Sequence, residues 1–139
     1  MSGADSTSAP GQIAIAATFV AEPVEQSLSF WLEELGMPQS VSFAPYNQVF
    51  QQLLDPSGLF AANRNGINIV LVRIEDWQRD QTDPASATTR RNIEQDAHDL
   101  ARALTEAAKR SAAFYLIFLC PASPRAAADP EQAAFFEQT

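Results

Sequence analysis

The sequence has little of what several classes of protein require. Cys120 is the only cysteine and His98 the only histidine, so an intramolecular disulfide is excluded and a zinc site has too few ligands. Lys109 is the only lysine, and 9 basic against 17 acidic residues give a formal net charge of −8. Surfaces that bind nucleic acid or anionic membranes need clustered cations. The composition therefore predicts no nucleic-acid partner, no metal and no cofactor.

The chain also lacks the segments that direct proteins into or across membranes. No apolar run approaches the roughly 20 residues that cross a bilayer. Residues 1–12 have neither the basic nor the apolar region of a secretory signal. A single cysteine is typical of proteins in a reducing compartment. We therefore expect a cytoplasmic protein without a membrane partner.

Length and composition favour one folded domain. The chain has 139 residues, 46% of them hydrophobic and 19% charged, and a chain of this size can bury about two thirds of its unfolded surface. We expect residues 1–12 to be a flexible segment and residues 13–121 to be an α/β domain. Residues 122–139 are expected to form a tail, with a short helix over residues 131–136 and the character of a truncated continuation.

Apolar runs typical of strands alternate with segments of helical periodicity. Apolar runs predict buried strands over residues 13–20 and 112–120. A second, short strand is predicted over residues 41–44, and β-branched content predicts the third strand over residues 67–74. Helical spacing predicts helices between them, beginning at Pro23, at Asn47 as an N-cap, and at Thr88 or Thr89 as an N-cap. Polar residues 78–89 have no apolar periodicity and predict a mobile loop.

The order of these elements predicts the fold. Strands alternating with helices imply right-handed crossovers and a parallel sheet covered on both faces. We expect a three-layer α/β domain with a parallel sheet of about four strands, in the order second, first, third, fourth. The helices containing Trp31 and Ile93 are expected to pack on it. An apolar stripe that we expect to be buried runs along the first of these helices before Gly36, at Val24, Leu28, Trp31, Leu32 and Leu35.

Polar and aromatic residues follow the predicted strands, where doubly wound sheets have their binding crevice. Amides, a carboxylate and aromatic rings on separate segments suit a small polar ligand or a partner peptide. Two simpler roles remain open, because Asn47 can cap a helix and Trp77 can cover the sheet edge. The candidate binding crevice consists of Thr18, Tyr46, Asn47, Gln48, Gln51, Asp76 and Trp77.

Several segments resemble the amino-terminal region of FkbH-like proteins and related modules of polyketide and nonribosomal peptide assembly lines. The resemblance lies within residues 13–77, about half of the chain. Its most specific part is FAPYNQVFQQLLDP followed by a strand that ends in EDW. The segments are, in order, IAIAATFVAEP at 13–23, FWLEELG at 30–36, FAPYNQVFQQLLDP at 43–56 and NGINIVLVRIEDW at 65–77.

The resemblance implies a flavodoxin-like or SGNH-hydrolase-like α/β fold. It also implies a position before a haloacid-dehalogenase-type phosphatase domain, which binds magnesium through an Asp-x-Asp motif. That motif is absent from this sequence. The activity of the phosphatase domain is therefore not implied for this chain.

Few residues are suited to nucleophilic catalysis. An SGNH-type hydrolase needs a serine after the first strand and a late histidine to accept its proton; here Thr18 stands at the strand end and His98 lies within a predicted helix. Cys120 would need a nearby cation to become a reactive thiolate, and Arg125 is the nearest in sequence. We therefore expect no catalysis by the isolated chain. The alternative is a degenerate SGNH-like esterase or acyltransferase that acts on carrier-bound acyl groups.

The combined features predict a noncatalytic recognition or scaffold module of a polyketide or nonribosomal peptide synthase. A sheet of about four strands leaves an open edge, and Phe135 and Phe136 place apolar rings in the tail. We expect these features to pack against a neighbouring assembly-line domain or to form a homodimer. An acyl carrier protein is a further candidate partner, although a net charge of −8 does not attract acidic carrier proteins.

Overall fold

The computed structural model describes residues 11–79 and 81–139. Residues 1–10 of the expected flexible segment lie outside them. The described chain forms a 4-stranded sheet in the order β2-β1-β3-β4, and every neighbouring pair is parallel. The predicted strand order and parallel pairing are confirmed. The strands are β1 (Ile13–Ala17), β2 (Val41–Phe43), β3 (Ile67–Val72) and β4 (Phe114–Leu119).

Helices connect the strands and continue after the last one. None of those in the described residues is long and apolar enough to cross a membrane. Two 3-10 turns, Glu22–Val24 and Ile74–Gln78, follow the carboxyl ends of β1 and β3. The helices are α1 (Glu25–Glu34), α2 (Val49–Leu54), α3 (Leu59–Ala62), α4 (Ala87–Arg110), α5 (Pro124–Ala127) and α6 (Pro130–Gln138).

Alternating side chains of the strands divide the core into two layers, because successive strand residues point to opposite faces. Ala14, Ala16 and Val70 pack against α2, α3 and α4, and we call this side the long-helix face. Ile13 and Ile15 pack against α1, and we call this side the α1 face. Helices therefore cover both faces of the sheet, which confirms the predicted three-layer α/β fold.

The prediction that the fourth strand is buried is wrong. Five of the six residues of β4 are exposed, and only Tyr115 is half-buried. Within the described chain β4 is an edge strand. Helix α1 does not cover β4, because it packs with residues of β1, β2 and β3. An apolar sequence does not tell a central strand from an edge strand. The exposed residues are Phe114, Leu116, Ile117, Phe118 and Leu119.

The apolar stripe of the first helix is only partly buried, which corrects a second prediction. Leu32 is buried and Leu28 is half-buried against β1 and β2. Val24, Trp31 and Leu35 are exposed, because α1 lies on the sheet along one narrow line and the predicted stripe is wider. The helix ends as predicted, with Gly36 in the left-handed region at φ 65.

Both predicted N-caps are wrong. The cap of α4 is Ser86, whose Oγ accepts a hydrogen bond of 3.1 Å from the Thr89 amide, while the Thr89 hydroxyl donates to the Asp83 carbonyl at 2.6 Å. Asn47 adopts a left-handed φ of 54 instead of capping α2, a conformation that asparagine tolerates. The cap of α2 is Gln48, without a side-chain hydrogen bond.

A buried polar cluster joins the amino ends of β1 and β3. The Asn63 side chain accepts from the Gln12 amide at 3.1 Å and donates to the Gln12 carbonyl at 2.8 Å. It also donates to the Asn68 side chain at 2.9 Å, which in turn donates to the Phe60 carbonyl at 3.1 Å. A Cβ on Gly66 would collide with the Gln12 carbonyl. This close packing holds the register of the two central strands.

We expect Asn63→Ala to lower the free energy of unfolding by about 3 kcal/mol, because the buried Asn68 side chain and the Gln12 backbone lose partners. Asn65→Ala is the matched control, since Asn65 is exposed two residues away. Urea unfolding followed by tryptophan fluorescence measures both. Equal stability of the two variants would contradict the role of the cluster.

Candidate functional site

The carboxylate of Asp76 is the centre of the polar groups at the carboxyl edge of the sheet. It is 9% exposed. The Thr18 hydroxyl, at the end of β1, donates to its Oδ2 at 2.8 Å. Arg73, directly after β3, donates from Nη2 to Oδ1 at 2.8 Å, and Arg79 donates to the same oxygen at 3.0 Å. A buried carboxylate needs such partners, and here three separate groups supply them.

Arg73 lies between the cluster and the second carboxylate of the edge. Its Nε is 3.2 Å from Glu75 Oε1, and its guanidinium lies 5.3 Å from the centre of the Phe19 ring. The hydrogen bond with Asp76 raises the pKa of Arg73 above its already high value. The guanidinium therefore stays charged at every pH at which the protein folds.

Glu75 ties the chain that follows β4 to the same edge. Its Oε1 accepts from the Ser123 amide at 2.6 Å and its Oε2 accepts from the Ser123 hydroxyl at 2.8 Å. Ser123 is also the N-cap of α5. The ends of β1, β3 and β4 are thus joined by one network of hydrogen bonds and ion pairs.

A solvent-open cavity of about 400 Å³ lies beside this network. Both carboxylates and both guanidiniums in its wall are already paired with each other. A ligand would have to compete with these pairs or use the remaining polar atoms. The lining residues are Arg73, Glu75, Asp76, Gln78, Arg79, Gln81, Pro84 and Ser123.

The structure brings only some of the predicted crevice residues together. Thr18 and Asp76 are in direct contact, and Tyr46 reaches them through Arg79, whose guanidinium lies 5.6 Å from the centre of the Tyr46 ring. Trp77 packs instead against Phe50 in the long-helix core, with 6.4 Å between the ring centres. The remaining amide side chains form no hydrogen bond with the cluster: Asn47 and Gln51 are exposed and Gln48 is half-buried.

The sequence-based interpretation missed Arg73, Arg79, Glu75 and Ser123. A signal for the first two was present, because Arg73 and Arg79 each lie three residues from Asp76 and short polar turns bring such side chains together. The pairing of Glu75 with Ser123 joins residues 48 positions apart in sequence. That contact depends on the strand order and has no local sequence signal.

Thr18 is engaged as a structural hydroxyl. Its side chain is buried, donates to Asp76 and accepts from the Arg73 amide at 3.0 Å. His98 is exposed on α4, beside a cavity that Phe135 also lines. The structure therefore places the histidine and the threonine in different surroundings. The group that accepts the Thr18 hydrogen bond is the Asp76 carboxylate, which is already paired with Arg73 and Arg79.

Cys120 follows β4 and is half-buried. Burial raises the pKa of its thiol, Asp76 raises it further, and Arg73 partly opposes both. Arg125, the cation nearest to Cys120 in sequence and the candidate for lowering its thiol pKa, is exposed. The surroundings therefore favour the neutral thiol over the nucleophilic thiolate.

The phenylalanine pair of the tail has contacts within the chain. Phe135 lies beneath Arg90 of α4, with 5.4 Å from the guanidinium to the ring centre, and Phe136 lines a cavity with Leu119 and Cys120. Both rings are half-buried. The tail forms α5 and α6, so its helix is longer than the predicted one over residues 131–136.

A larger cavity, of about 460 Å³, lies at the amino end of β4. Its walls include Arg110, whose guanidinium already donates to the Leu53 carbonyl at 2.6 Å. Parallel α/β sheets bind ligands at the carboxyl ends of their strands. We therefore place the candidate site at the Asp76 cluster in spite of its smaller cavity.

Comparisons with protein-family models, curated proteins and solved structures found no match for this chain. In the part of the chain that the structure describes, no group of three or more His, Cys, Asp or Glu side chains is placed to hold a metal ion. Function has to be argued from the geometry of the chain itself.

We expect Thr18→Val to lower the free energy of unfolding by about 3 kcal/mol, because Asp76 loses a donor and the Arg73 amide loses an acceptor. Thr18→Ser keeps the hydroxyl and should cost less than about 1.5 kcal/mol. Urea unfolding of both variants measures the difference. A larger loss for Thr18→Ser than for Thr18→Val would show that the methyl group, not the hydroxyl, is what the site requires.

We expect Cys120 to react slowly with iodoacetamide in the folded chain and faster after unfolding in urea. The pH midpoint of alkylation should be higher for the folded chain, because burial raises the thiol pKa. Because the thiol pKa is higher in the folded chain, this group's contribution to the free energy of unfolding is fully present below the thiol pKa of the unfolded chain. The contribution is lost as the pH rises through the thiol pKa of the folded chain.

Cys120→Ala should leave hydrolysis of activated esters unchanged. A loss of such hydrolysis in that variant would support the acyltransferase alternative.

Proposed function

We propose that this domain is a noncatalytic recognition or scaffold module of a cytoplasmic polyketide or nonribosomal peptide synthase. It packs against a neighbouring assembly-line domain or a second copy of itself. The observation that supports this most is the exposure of β4, an uncharged apolar strand on which five of six residues face solvent.

An exposed edge strand of this kind is a pairing surface. The sequence of β4, FYLIFL, has no charge, proline or glycine, although natural edge strands commonly carry such residues to prevent association. Ile117 and Leu119 are 44% and 67% exposed on the long-helix face. A folded partner that pairs with the edge of β4 would satisfy its backbone groups, and a part of that partner lying over the long-helix face would bury these side chains.

The polar cluster supports a structural role for the carboxyl edge. Thr18, Arg73 and Arg79 direct their polar groups at Asp76, and Glu75 is bonded to Ser123. These residues stabilise the strand ends in one arrangement. A rigid edge of this type suits a recognition module, which needs a fixed shape more than a reactive group.

The assembly-line setting depends on the resemblance of the segments within residues 13–77 to FkbH-like proteins. Two of these segments meet in the structure, since Thr18 of IAIAATFVAEP donates a hydrogen bond to Asp76 of the EDW segment at 2.8 Å. The residues that carry the resemblance therefore include those that build the carboxyl edge. This supports a shared architecture and does not require a shared activity.

Among assembly-line partners, we favour a neighbouring domain over an acyl carrier protein. The chain has a net charge of −8, and like-charged proteins gain no long-range attraction. The contact surface is apolar, which suits a partner held close by the same polypeptide or complex. The alternative of a degenerate esterase gains no support from Thr18, because both functions of its hydroxyl are already used.

We expect the chain to bind at least one separately purified assembly-line domain among four classes: adenylation, ketosynthase, haloacid-dehalogenase-type phosphatase and acyl carrier protein. Because β4 is the proposed contact, a chain with both Ile117→Lys and Leu119→Lys should bind that domain at least ~10-fold more weakly. Biolayer interferometry at fixed ionic strength measures this.

Ala108→Lys, on the exposed side of α4, is the control and should bind as the parent does. The proposal is wrong if none of the four domains binds, or if binding survives the double substitution. Turnover of a carrier-bound acyl thioester by the isolated chain would also overturn it.

A further inference from the structure

The α1 face of the sheet carries two exposed apolar surfaces on one chain. The first, which we call the α1 stripe, consists of Trp31 on the helix and of Val24 and Leu35, which directly precede and follow the helix. The second, which we call the β4 face, consists of Phe114, Leu116 and Phe118. Register places the β4 face beside Ile67, Ile69 and Leu71, which are half-buried.

In the described chain the helix layer on the α1 face does not extend over β4. Leu28 and Leu32 of α1 pack with residues of β1, β2 and β3, whereas three helices contribute to the long-helix face. The uncovered strip is bounded by α1 on one side and the β4 edge on the other. An α-helix is about 10 Å wide, so a single additional helix would complete this layer.

We propose that a second copy of this chain supplies that helix. The α1 stripe of each copy packs on the β4 face of the other, in a two-fold symmetric dimer. This inference rests on the proposed scaffold function and names the partner that binds the α1 face of the sheet. A two-fold interface requires that residue i contacts residue j in both directions, and the α1 stripe and the β4 face are such a complementary pair.

The exposed area fits an interface between copies. Trp31 is 59%, Leu35 68%, Phe114 77% and Phe118 50% exposed. Large side chains have about 150–250 Å² each, so the two surfaces together expose on the order of 700 Å². A standard interface buries about 800 Å² per partner, so the exposed area of one copy is close to what such an interface needs.

Pairing of two β4 edges would not cover the α1 stripe and the β4 face. Such pairing extends the sheet sideways and satisfies backbone groups, but it leaves the α1 stripe and the β4 face open to water. Only an element laid on the face covers them. Trp31 suits the centre of such a contact, since tryptophan is common among interface hot spots and its ring is braced edge-on by Phe30 at 5.4 Å.

The charge of the surroundings gives this dimer a distinctive salt dependence. The α1 stripe and the β4 face are uncharged, while the charged residues of α1, Glu25, Glu33 and Glu34, are all acidic. Two copies of net charge −8 repel each other. Because salt screens this repulsion, the dimer should become tighter as the salt concentration rises. A partner of opposite charge would show the reverse trend.

Sedimentation equilibrium of the full chain at micromolar concentration tests the proposal. The parent is expected to be dimeric, and more so at high salt. Trp31→Glu and Phe118→Lys should each weaken self-association at least ~10-fold. An equimolar mixture of these two variants should regain a dimer, because one contact becomes a Glu–Lys pair while the symmetric contact keeps Trp31 and Phe118.

Leu54→Glu is the matched control, since Leu54 is 57% exposed but lies on α2, on the long-helix face. It should leave the dimer unchanged, and circular dichroism checks that every variant is folded. A monomeric parent, a dimer insensitive to both substitutions, or a mixture that fails to associate would overturn the second copy as occupant. None of these outcomes affects the proposed function, whose test uses Ile117 and Leu119 on the opposite face.

Discussion

The buried carboxylate of Asp76 is the interaction on which the carboxyl edge of this domain depends. A charge in that position is tolerated only with partners, and its partners come from the end of β1, the end of β3 and the turn beyond it. Meeting this requirement brings Thr18 and Arg73 together and orients the 3-10 turn at Ile74–Gln78. Removing the Thr18 hydroxyl would take a donor from Asp76 and an acceptor from the Arg73 amide, so these groups depend on one another. Thr18 and Asp76, two of the residues that first indicated a binding crevice, are therefore occupied in stabilising the sheet.

The amino end of the sheet is held by a second polar cluster, and the two ends together make β1 and β3 a rigid centre. Asn63 bonds to both backbone groups of Gln12, and Gly66 leaves room for that contact. The centre of the sheet is held at both ends, whereas helices cover only part of its α1 face. Three helices contribute to the long-helix face, but α1 covers only part of the other. The apolar residues left outside are concentrated on β4 and along α1.

Our proposals assign this distribution to association. The carboxylates and guanidiniums of the carboxyl edge are paired with each other, whereas the exposed surface of β4 is apolar and uncharged. The two faces of β4 provide separate contacts in our proposals: Ile117 and Leu119 for a neighbouring domain, and the β4 face for a second copy. A scaffold that joins two partners through opposite sides of one strand would stabilise both contacts without any catalytic group.

The amino-acid sequence by itself determined the class of fold, the parallel sheet and its strand order, because strand and helix periodicities are local and crossover handedness is general. It also indicated that Thr18 and Asp76 would meet, since the carboxyl ends of parallel strands converge. Only the tertiary structure decided that Arg73 and Arg79 form ion pairs with Asp76. It also decided that Trp77 packs in the core and that β4 and Trp31 are exposed. The physical reason is that an apolar run has the same pattern whether or not another element covers it. Burial is decided by neighbours, and neighbours distant in sequence are set only when the whole chain is folded.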